Sequence, residues 1–492
     1  MSPDITLVHP LFLNKDQMEL RLKTPYFPLG LLYLAAVLRR HEYNVEIFDC
    51  TFRKGFEEFE DYLSRFSPFI VGIGSLITSR RNALQLAGQA HRYNAKVILG
   101  GPDPTAIPER YLYYRAEDGI FPVDFVISGE GEITLLELMN HYFQRGNSPD
   151  NLKKIPGLRL RAKNNRVVST GDRSYISDLD SIPFPARDLV DLRPYKRIWR
   201  QTHGFWSLNI INTRGCPYNC SWCQRAVFGR QYRQRSPENS AEEILHIKKT
   251  YQPNQIRIVD DITGIDETWI FKWRDALFAR DAIIPFECLS RVNFVKKSML
   301  KALKDAGCQQ IHFGAESGSQ KVLDLMNKGI TVNQIHEAVE LCRQIGIKIY
   351  FYMMVGYPGE NWSDLQLSAK LLKNALPDEF STTIVYPLPG TKFYEQVKDR
   401  LKFDTHGIVN WDYTAENKML FKKTKFDTLF YRWVIRWLYL EWREAKRHFT
   451  TGISKISTLS SLTRLWTTRA IVQLLSHLSN RATKHFHLKE GK

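Results

Sequence analysis

Cys216, Cys220 and Cys223 stand close together in a 492-residue chain that holds seven cysteines in all. Thiols at a Cys-x3-Cys-x2-Cys spacing can bind a zinc ion, pair as disulfides or mount an iron–sulfur cluster. The other four, Cys50, Cys288, Cys308 and Cys342, are scattered, and the total is odd. That pattern does not resemble a secreted disulfide scaffold. A structural zinc site needs four closed ligands, and the nearest further candidate, His203, lies before the strand that precedes the cysteines. Three thiolates can instead hold three irons of a cubane while the fourth iron keeps an open position for a ligand to be activated.

Such a loop needs a rigid support, and the sequence supplies one directly upstream in the apolar run Leu208 to Asn212. Further strands are expected at Ile256 to Val259, Phe286 to Leu289, Gln310 to Phe313, Lys348 to Met353 and Thr383 to Tyr386. Helical stretches, Ser240 to Thr250, Lys297 to Ala306, Ser319 to Met326 and Val332 to Ile345, separate most of them. Six βα units imply a full or partial barrel, with chemistry at the carboxyl ends of the strands.

An earlier series has the same rhythm. Strands are expected at Ile5 to His9, Val45 to Phe48, Ile70 to Ile73, Lys96 to Leu99 and Phe125 to Ile127. Helical patterns fill Leu29 to Arg40, Arg80 to Tyr93 and Thr134 to Gln144. Glycines follow the strands at 72 and 74, 100 and 101, and 129 and 131. Glycine there lets backbone approach a ligand at the strand ends of an open α/β sheet, or simply makes a tight turn. "IPGLRLRAKNNRVVSTG" reads as a hairpin about Asn164-Asn165, and the following stretch, with prolines at 183, 185 and 194, as an extended linker.

Charge is uneven. The net charge is +17, and the last 72 residues, from Phe421, carry 15 Lys/Arg against 4 Asp/Glu, a net +11. In "FYRWVIRWLYLEW", Trp433, Trp437, Leu440 and Glu441 fall at helical spacing with arginines between. The plain reading is a stripe packed on its own domain beside a solvated tail, and the sharper one is contact with an anionic membrane surface. The start of the chain shows no signal-peptide pattern, and the longest apolar run, Pro28 to Leu38, is about half the roughly 20 residues that span a bilayer. The expected location is the cytoplasm, with membrane association the sharper alternative.

The triad, with Trp222 before its third cysteine and a strand before the loop, resembles the radical S-adenosylmethionine (SAM) superfamily. The resemblance implies a [4Fe-4S] cluster on Cys216, Cys220 and Cys223 whose open iron chelates SAM, and one-electron cleavage of SAM to a 5'-deoxyadenosyl radical that takes a hydrogen atom from substrate. It also implies SAM contacts along the strand ends. These are Asp260 beside Asp261 in "IRIVDDITG", Ser290 and Arg291 in "CLSRVN", Glu316 and Ser317 in "IHFGAESGSQ", and Gly356 and Pro358 in "VGYPGEN".

"FPLGLLYLAAVL", "GGPDPT" and "SGEGEITLLEL", ahead of such a core, resemble the cobalamin-binding radical SAM proteins, the class of the anaerobic magnesium-protoporphyrin ester cyclase and the hopanoid and bacteriochlorophyll C-methylases. The implied corrin-lining residues are Gly72, Gly74, Ser75, Gly100, Gly101, Pro102, Gly129 and Glu130. Two positions depart from the pattern. The Asp-x-His-x2-Gly loop that brings a histidine to cobalt is absent, and Asp103 stands where relatives often have histidine. Some members of the class bind cobalamin without a protein ligand.

The expected α/β architecture is thus a Rossmann-like cobalamin-binding domain over 1–150, a hairpin and linker over 151–200, a partial (β/α)6 TIM-type radical SAM barrel over 201–395, and a basic, Trp-rich helical C-terminal region over 396–492. The expected activity is cobalamin-dependent C-methylation of a hydrophobic substrate, lipid or tetrapyrrole-like, or of a natural product. Radical oxidation or ring closure is the alternative. The implied partners are an electron donor such as flavodoxin or ferredoxin and a small-molecule or lipid substrate. An RNA methylthiotransferase would explain the basic charge, but the N-terminal half offers only Cys50 where that family has a cysteine triad, so no nucleic acid is expected. A protein that only senses SAM or cobalamin is the non-catalytic alternative.

Overall fold

The computed structural model describes residues 2–144, 149–402, 421, 428–451 and 463–476. Its first sheet contains β1 (Ile5–His9), β2 (Val45–Asp49), β3 (Ile70–Gly74), β4 (Lys96–Gly100), β5 (Phe125–Ile127), β6 (Leu158–Arg161) and β7 (Val167–Ser169), in the order β2-β1-β3-β4-β5-β6-β7. The first five run parallel, as apolar strands separated by helices require. The chain reverses its winding between β1 and β3, the crevice where open α/β sheets bind ligands. β6 and β7 add an antiparallel hairpin to this sheet, with Asn165 in the left-handed region at φ +59.

Two cores flank the sheet. Helices Glu57–Phe66 and Arg80–Arg92 close a separate core on one face through Phe59, Leu63, Ala83 and Leu86. On the other face, helices Leu29–Arg40 and Glu132–Phe143 belong to a core that runs without a break into the second half of the chain. Apolar packing therefore holds the two halves together.

The stretch expected as an extended linker is built differently. Pro183 and Pro185 are followed by helix Arg193–His203, which takes the third, Pro194, into its first turn and stops at Gly204, φ +79. Tyr195 and Trp199, four residues apart, are buried on one face of it. Arg187, ahead of this helix, is itself fully buried.

The second sheet is entirely parallel. Its strands are β8 (Ser207–Ile210), β11 (Gln255–Ile258), β12 (Phe286–Ser290), β13 (Cys308–Glu316), β14 (Lys348–Val355) and β15 (Glu379–Ile384), adjacent in chain order. The last strand thus starts four residues before the expected Thr383. Between β8 and β11, a short antiparallel ribbon of β9 (Thr213–Arg214) and β10 (Arg233–Gln234) closes the base of the cysteine loop. Helices Pro237–Thr250, Glu267–Ala279, Lys297–Asp305, Val332–Ile345 and Trp362–Ala375 follow successive strands. Six sequential parallel strands with outer helices make a partial barrel.

The aromatic stripe near the C-terminus lies on helix Thr428–Thr451, and it faces inward. Trp437 is buried with its ring 5.1 Å from that of Trp362, and Trp442 donates from Nε1 to Pro377 O at 3.0 Å. The packed-stripe reading holds for this face. A second helical stretch, 463–476, follows. Much of the region expected as helical, Thr424 included, lies outside the described residues. No helix among the described residues is long and apolar enough to cross a membrane.

Candidate active site

The cysteine loop is pinned at both ends by backbone. At the carboxyl end of β11, Asp260 accepts from Asn212 N (2.6 Å) and Thr213 N (3.0 Å), and Asp261 from Gly215 N (2.9 Å). Burial pushes the Asp260 carboxyl up to about 7 against the lowering effect of those amides, and it also raises Asp261. Gly215 has φ +84, and a Cβ there would lie 2.2 Å from Gln231 O, so the turn into Cys216 tolerates only glycine. Further along, Ser221 N donates to Met326 O and Phe393 N to Ser221 O, both at 2.8 Å, while Gln224 Nε2 donates to Pro389 O at 2.9 Å. The chain beyond β13 and the turn after β15 thus hold the loop against the barrel top.

All three thiols are free, and Cys220 is buried. Burial, reinforced by the neighbouring Cys220, pushes the Cys223 thiol up to about 12, and burial raises Cys216 as well. Such thiols become thiolates by coordinating a cation. Among the described residues no three His, Cys, Asp or Glu side chains converge on one ion. In a cubane each thiolate takes its own iron, so a cluster does not require that convergence.

The residues expected around SAM form a chain of contacts beside Cys220. Arg291 Nη1 lies 3.6 Å from Cys220 Sγ, its guanidinium lies 3.7 Å over the Tyr218 ring, and its other nitrogen donates to Lys328 O. Lys328 Nζ in turn lies 2.9 Å from Glu316 Oε1 and 5.4 Å from the Trp222 ring. Glu316 Oε2 and Trp222 Nε1 are buried with no hydrogen-bond partner among the described residues. Buried polar atoms are otherwise almost always paired, so these two point to a polar ligand. Glu316 also holds φ +58 at the end of β13, a strained position for a non-glycine residue.

Other expected contacts are occupied within the protein. Asp260 takes the loop amides on Oδ1 and Thr263 Oγ1, at 3.3 Å, on Oδ2, so here it positions the loop. Ser290 Oγ donates to Thr263 O at 2.7 Å, and Ser317 Oγ pairs with Ser368 Oγ at 3.2 Å. Gly356, at φ +93 before Tyr357 and Pro358, donates its N–H to Glu360 Oε2 at 2.7 Å, which shapes the turn after β14.

The strand-end glycines line a cavity of about 430 Å3, mostly apolar, between the two halves. Gly72, Gly74, Ser75, Gly100, Gly101, Pro102, Gly129 and Glu130 all border it, and so do Ile211, Arg214, Val227, Phe228 and Val259 from the second half. The glycines do different things. A Cβ on Gly101, φ +103, would lie 2.8 Å from Ser75 O, and one on Gly72 2.8 Å from Leu7 Cδ2. At Gly100 and Gly129 a Cβ meets nothing closer than 3.9 Å, leaving room for close approach of a flat ligand. The cradle therefore fits a corrin. Asp103 does not face it as a ligand: Arg80 grips it through Nε (2.6 Å) and Nη2 (2.7 Å), and Tyr111 donates to it.

The polar inner face of the barrel escaped the sequence reading. His312 lies 3.1 Å from Tyr352 O–H and 3.2 Å from Glu287 Oε2, and Arg257 reaches both Tyr352 (2.9 Å) and Glu287 (3.3 Å). The available signal was a polar residue at alternate positions of otherwise apolar strands, as in "QIRI", "FECLS" and "KIYFYMM".

A cysteine-bearing loop over a six-stranded parallel barrel, behind a doubly wound sheet with a strand-end cradle, defines a radical SAM enzyme joined to a cobalamin-binding domain. Family comparison agrees: residues 20–139 match the B12 binding domain and residues 210–372 the radical SAM superfamily. An uncharacterized methyltransferase of Pyrococcus horikoshii is 31% identical over 372 residues, covering 75% of this chain and 78% of that protein. The anaerobic magnesium-protoporphyrin IX monomethyl ester cyclase of Rubrivivax gelatinosus is 25% identical over 383 residues, 76% of this chain and 67% of the cyclase. The radical SAM methyltransferase TsrM of Kitasatospora setae, solved with cobalamin and a [4Fe-4S] cluster, shares the fold with a TM-score of 0.66 at 17% identity, over 92% of this chain and all of that one. The chain belongs to the cobalamin-binding branch of the radical SAM superfamily, whose cofactors are a [4Fe-4S] cluster, SAM and cobalamin.

Proposed function

We propose that this enzyme transfers a methyl group to an unactivated carbon of a hydrophobic small molecule, of lipid or tetrapyrrole type or a natural product. One observation carries the reading: the cradle of the first half opens directly onto Arg214, Val227 and Phe228, which flank the cysteines. When bound, the cluster and SAM supply a carbon radical after one-electron reduction, and the corrinoid supplies the methyl group. The chain supplies the geometry. Arg291 presents a buried cation beside Cys220 for a carboxylate, and Glu316 Oε2 and Trp222 Nε1 offer an acceptor and a donor to the rest of SAM. Asp260 and Asp261 hold the loop in register, and the apolar cavity wall excludes water from the space between the sites. Leu29, Leu31, Leu34, Leu76 and Leu135 on that wall favour an apolar substrate.

The deciding experiment uses anaerobically reconstituted enzyme, SAM with a deuterated methyl group, and lipid and tetrapyrrole extracts. A deuterated methyl in a product, formed with 5'-deoxyadenosine and only when cobalamin is present, is the expected result. Product that lacks the label while 5'-deoxyadenosine accumulates would replace methylation by ring closure or oxidation, the reading supported by the cyclase relative.

The reductant is a flavodoxin or ferredoxin, and the enzyme works in the cytoplasm at an anionic membrane surface. The exposed rings of Phe449 and Trp466, each 69% exposed within the strongly basic C-terminal region, support the surface contact. Replacing both by serine should weaken partitioning onto anionic liposomes on the order of a hundredfold or more, since each buried ring contributes about 1.5–3 kcal/mol. Unchanged sedimentation would remove these rings from the contact.

A further inference from the structure

Four buried charges join the loop after β5, and the start of the helix that follows it, to the strands that carry the cysteine loop. Glu130 accepts from Arg214 Nη1 at 2.8 Å and from Arg233 Nη1 at 2.9 and 2.8 Å, while Glu132 accepts from Arg214 Nη2 at 2.6 Å. No side chain of the four is more than 6% exposed. Two cations against two anions cancel, so burial leaves no stranded net charge. The planar fork of Arg214 gives one nitrogen to each carboxylate, a geometry that a point charge does not reproduce.

Each end of the quartet has a chemical address. Glu130, in the loop after β5, and Glu132, the first residue of helix Glu132–Phe143, flank Gly131 and line the corrin cradle, and Arg214 borders the same cavity. Arg214 also precedes Cys216 by two residues, and it pairs with Arg233 across the β9–β10 ribbon. The Phe228 ring, on the return arm of the cysteine loop, lies 4.9 Å from the Arg214 guanidinium. A shift of the loop after β5 therefore has to move the ribbon from which the cysteines hang.

We propose that Glu130, Glu132, Arg214 and Arg233 are positioning residues that couple the two sites, so that a corrinoid in the cradle fixes the cysteine loop and tightens SAM binding on it. This rests on the cradle being the corrinoid site. An occupant of the cavity meets Arg214, Glu130 and Glu132 directly, and a loop already ordered by one ligand has less freedom to lose on binding the second. By linkage the tightening is reciprocal.

The test titrates cluster-reconstituted enzyme with SAM, anaerobically, with and without saturating hydroxocobalamin, and reads the ratio of the two dissociation constants. In the wild type the ratio should be roughly fivefold or more, the lower end of typical coupling between sites. In Glu132→Gln, which keeps the size but takes one anion from the Arg214 fork, it should fall below roughly twofold. The ratio cancels any loss of affinity common to both titrations. The electron paramagnetic resonance spectrum of the reduced cluster should shift on corrinoid addition in the wild type and not in the variant. A wild-type ratio near one with corrinoid bound overturns the coupling, and so does a ratio kept in Glu132→Gln. If Glu132→Gln does not fold, Arg214→Lys, which keeps the charge and loses the fork, gives the same comparison. Failure of the wild type to bind any corrinoid would instead bring down the cradle assignment, and the coupling with it.

Discussion

Cys220→Ala should abolish the [4Fe-4S] signal and SAM cleavage together while leaving the fold in place. The thiol is buried at the centre of the loop, with the Arg291 guanidinium 3.6 Å away. The bonds that shape the loop do not use it: Cys223 N donates to Cys220 O, Ser221 N to Met326 O and Phe393 N to Ser221 O. The substitution thus removes a ligand and keeps the loop. Loss of an outer-shell partner commonly costs 10–100-fold in metal affinity or activity, so loss of a ligand itself should exceed ~100-fold in 5'-deoxyadenosine formation. Iron and sulfide content, the visible spectrum and the resonance spectrum should fall with it. Cys342→Ala is the control, because Cys342 sits in the core on helix Val332–Ile345. SAM cleavage surviving in Cys220→Ala would place the radical generator elsewhere.

That loop was legible because its chemistry is local in sequence: three cysteines after one strand, read from eight positions. The parallel strands were legible for a related reason. Being buried on both faces, they appear as short apolar runs, and β1, β5 and helices Leu29–Arg40 and Val332–Ile345 lie where the pattern puts them. The cradle glycines were legible as a set, but not in their individual duties. Only packing shows that Gly72 makes room for Leu7 and Gly101 for Ser75, while a Cβ on Gly100 or Gly129 would make only ordinary contacts.

What stayed hidden depends on partners distant in the chain. Asp260 reads as a strand-end acid free to take an ammonium, yet amides at the base of the cysteine loop, some 48 residues earlier, bind its Oδ1. The proline-rich stretch reads as linker because its prolines dominate, and helix Arg193–His203 emerges only when Tyr195 and Trp199 find their core. Glu130 reads as a corrin contact and is held by two arginines more than 80 residues on.

Glu243→Ala should be the most damaging substitution remote from the cofactors. Glu243, on helix Pro237–Thr250, has no exposed surface, and its carboxylate takes Arg187 Nη2 at 2.6 Å and Arg235 Nη1 on its other oxygen. Arg187 arrives from the supposed linker and also donates to Asn209 O on β8, and Arg235 donates to Ile211 O beyond it. One carboxylate is thus shared by two buried guanidiniums at the root of the cysteine loop. Its removal leaves both uncompensated, which should cost about 3–5 kcal/mol. Urea denaturation followed by tryptophan fluorescence would read this as a lower midpoint at pH 7. The sign with pH follows from the same contacts. Burial works against the charge, but Arg235 and Arg187 outweigh it and hold the carboxyl below its ordinary 4.5. A depressed acid contributes fully above its unfolded value and loses the contribution as pH falls through its folded one. The gap between wild type and variant should therefore be constant at neutral pH and narrow below pH 4.5. Replacing Arg187, Arg235 and Glu243 together by apolar residues of similar size should recover most of the loss, since no buried charge then remains unpaired. If instead Glu243→Ala leaves the midpoint unchanged, the linker is not anchored through this carboxylate, and the position of the β8 end must be set by apolar packing alone.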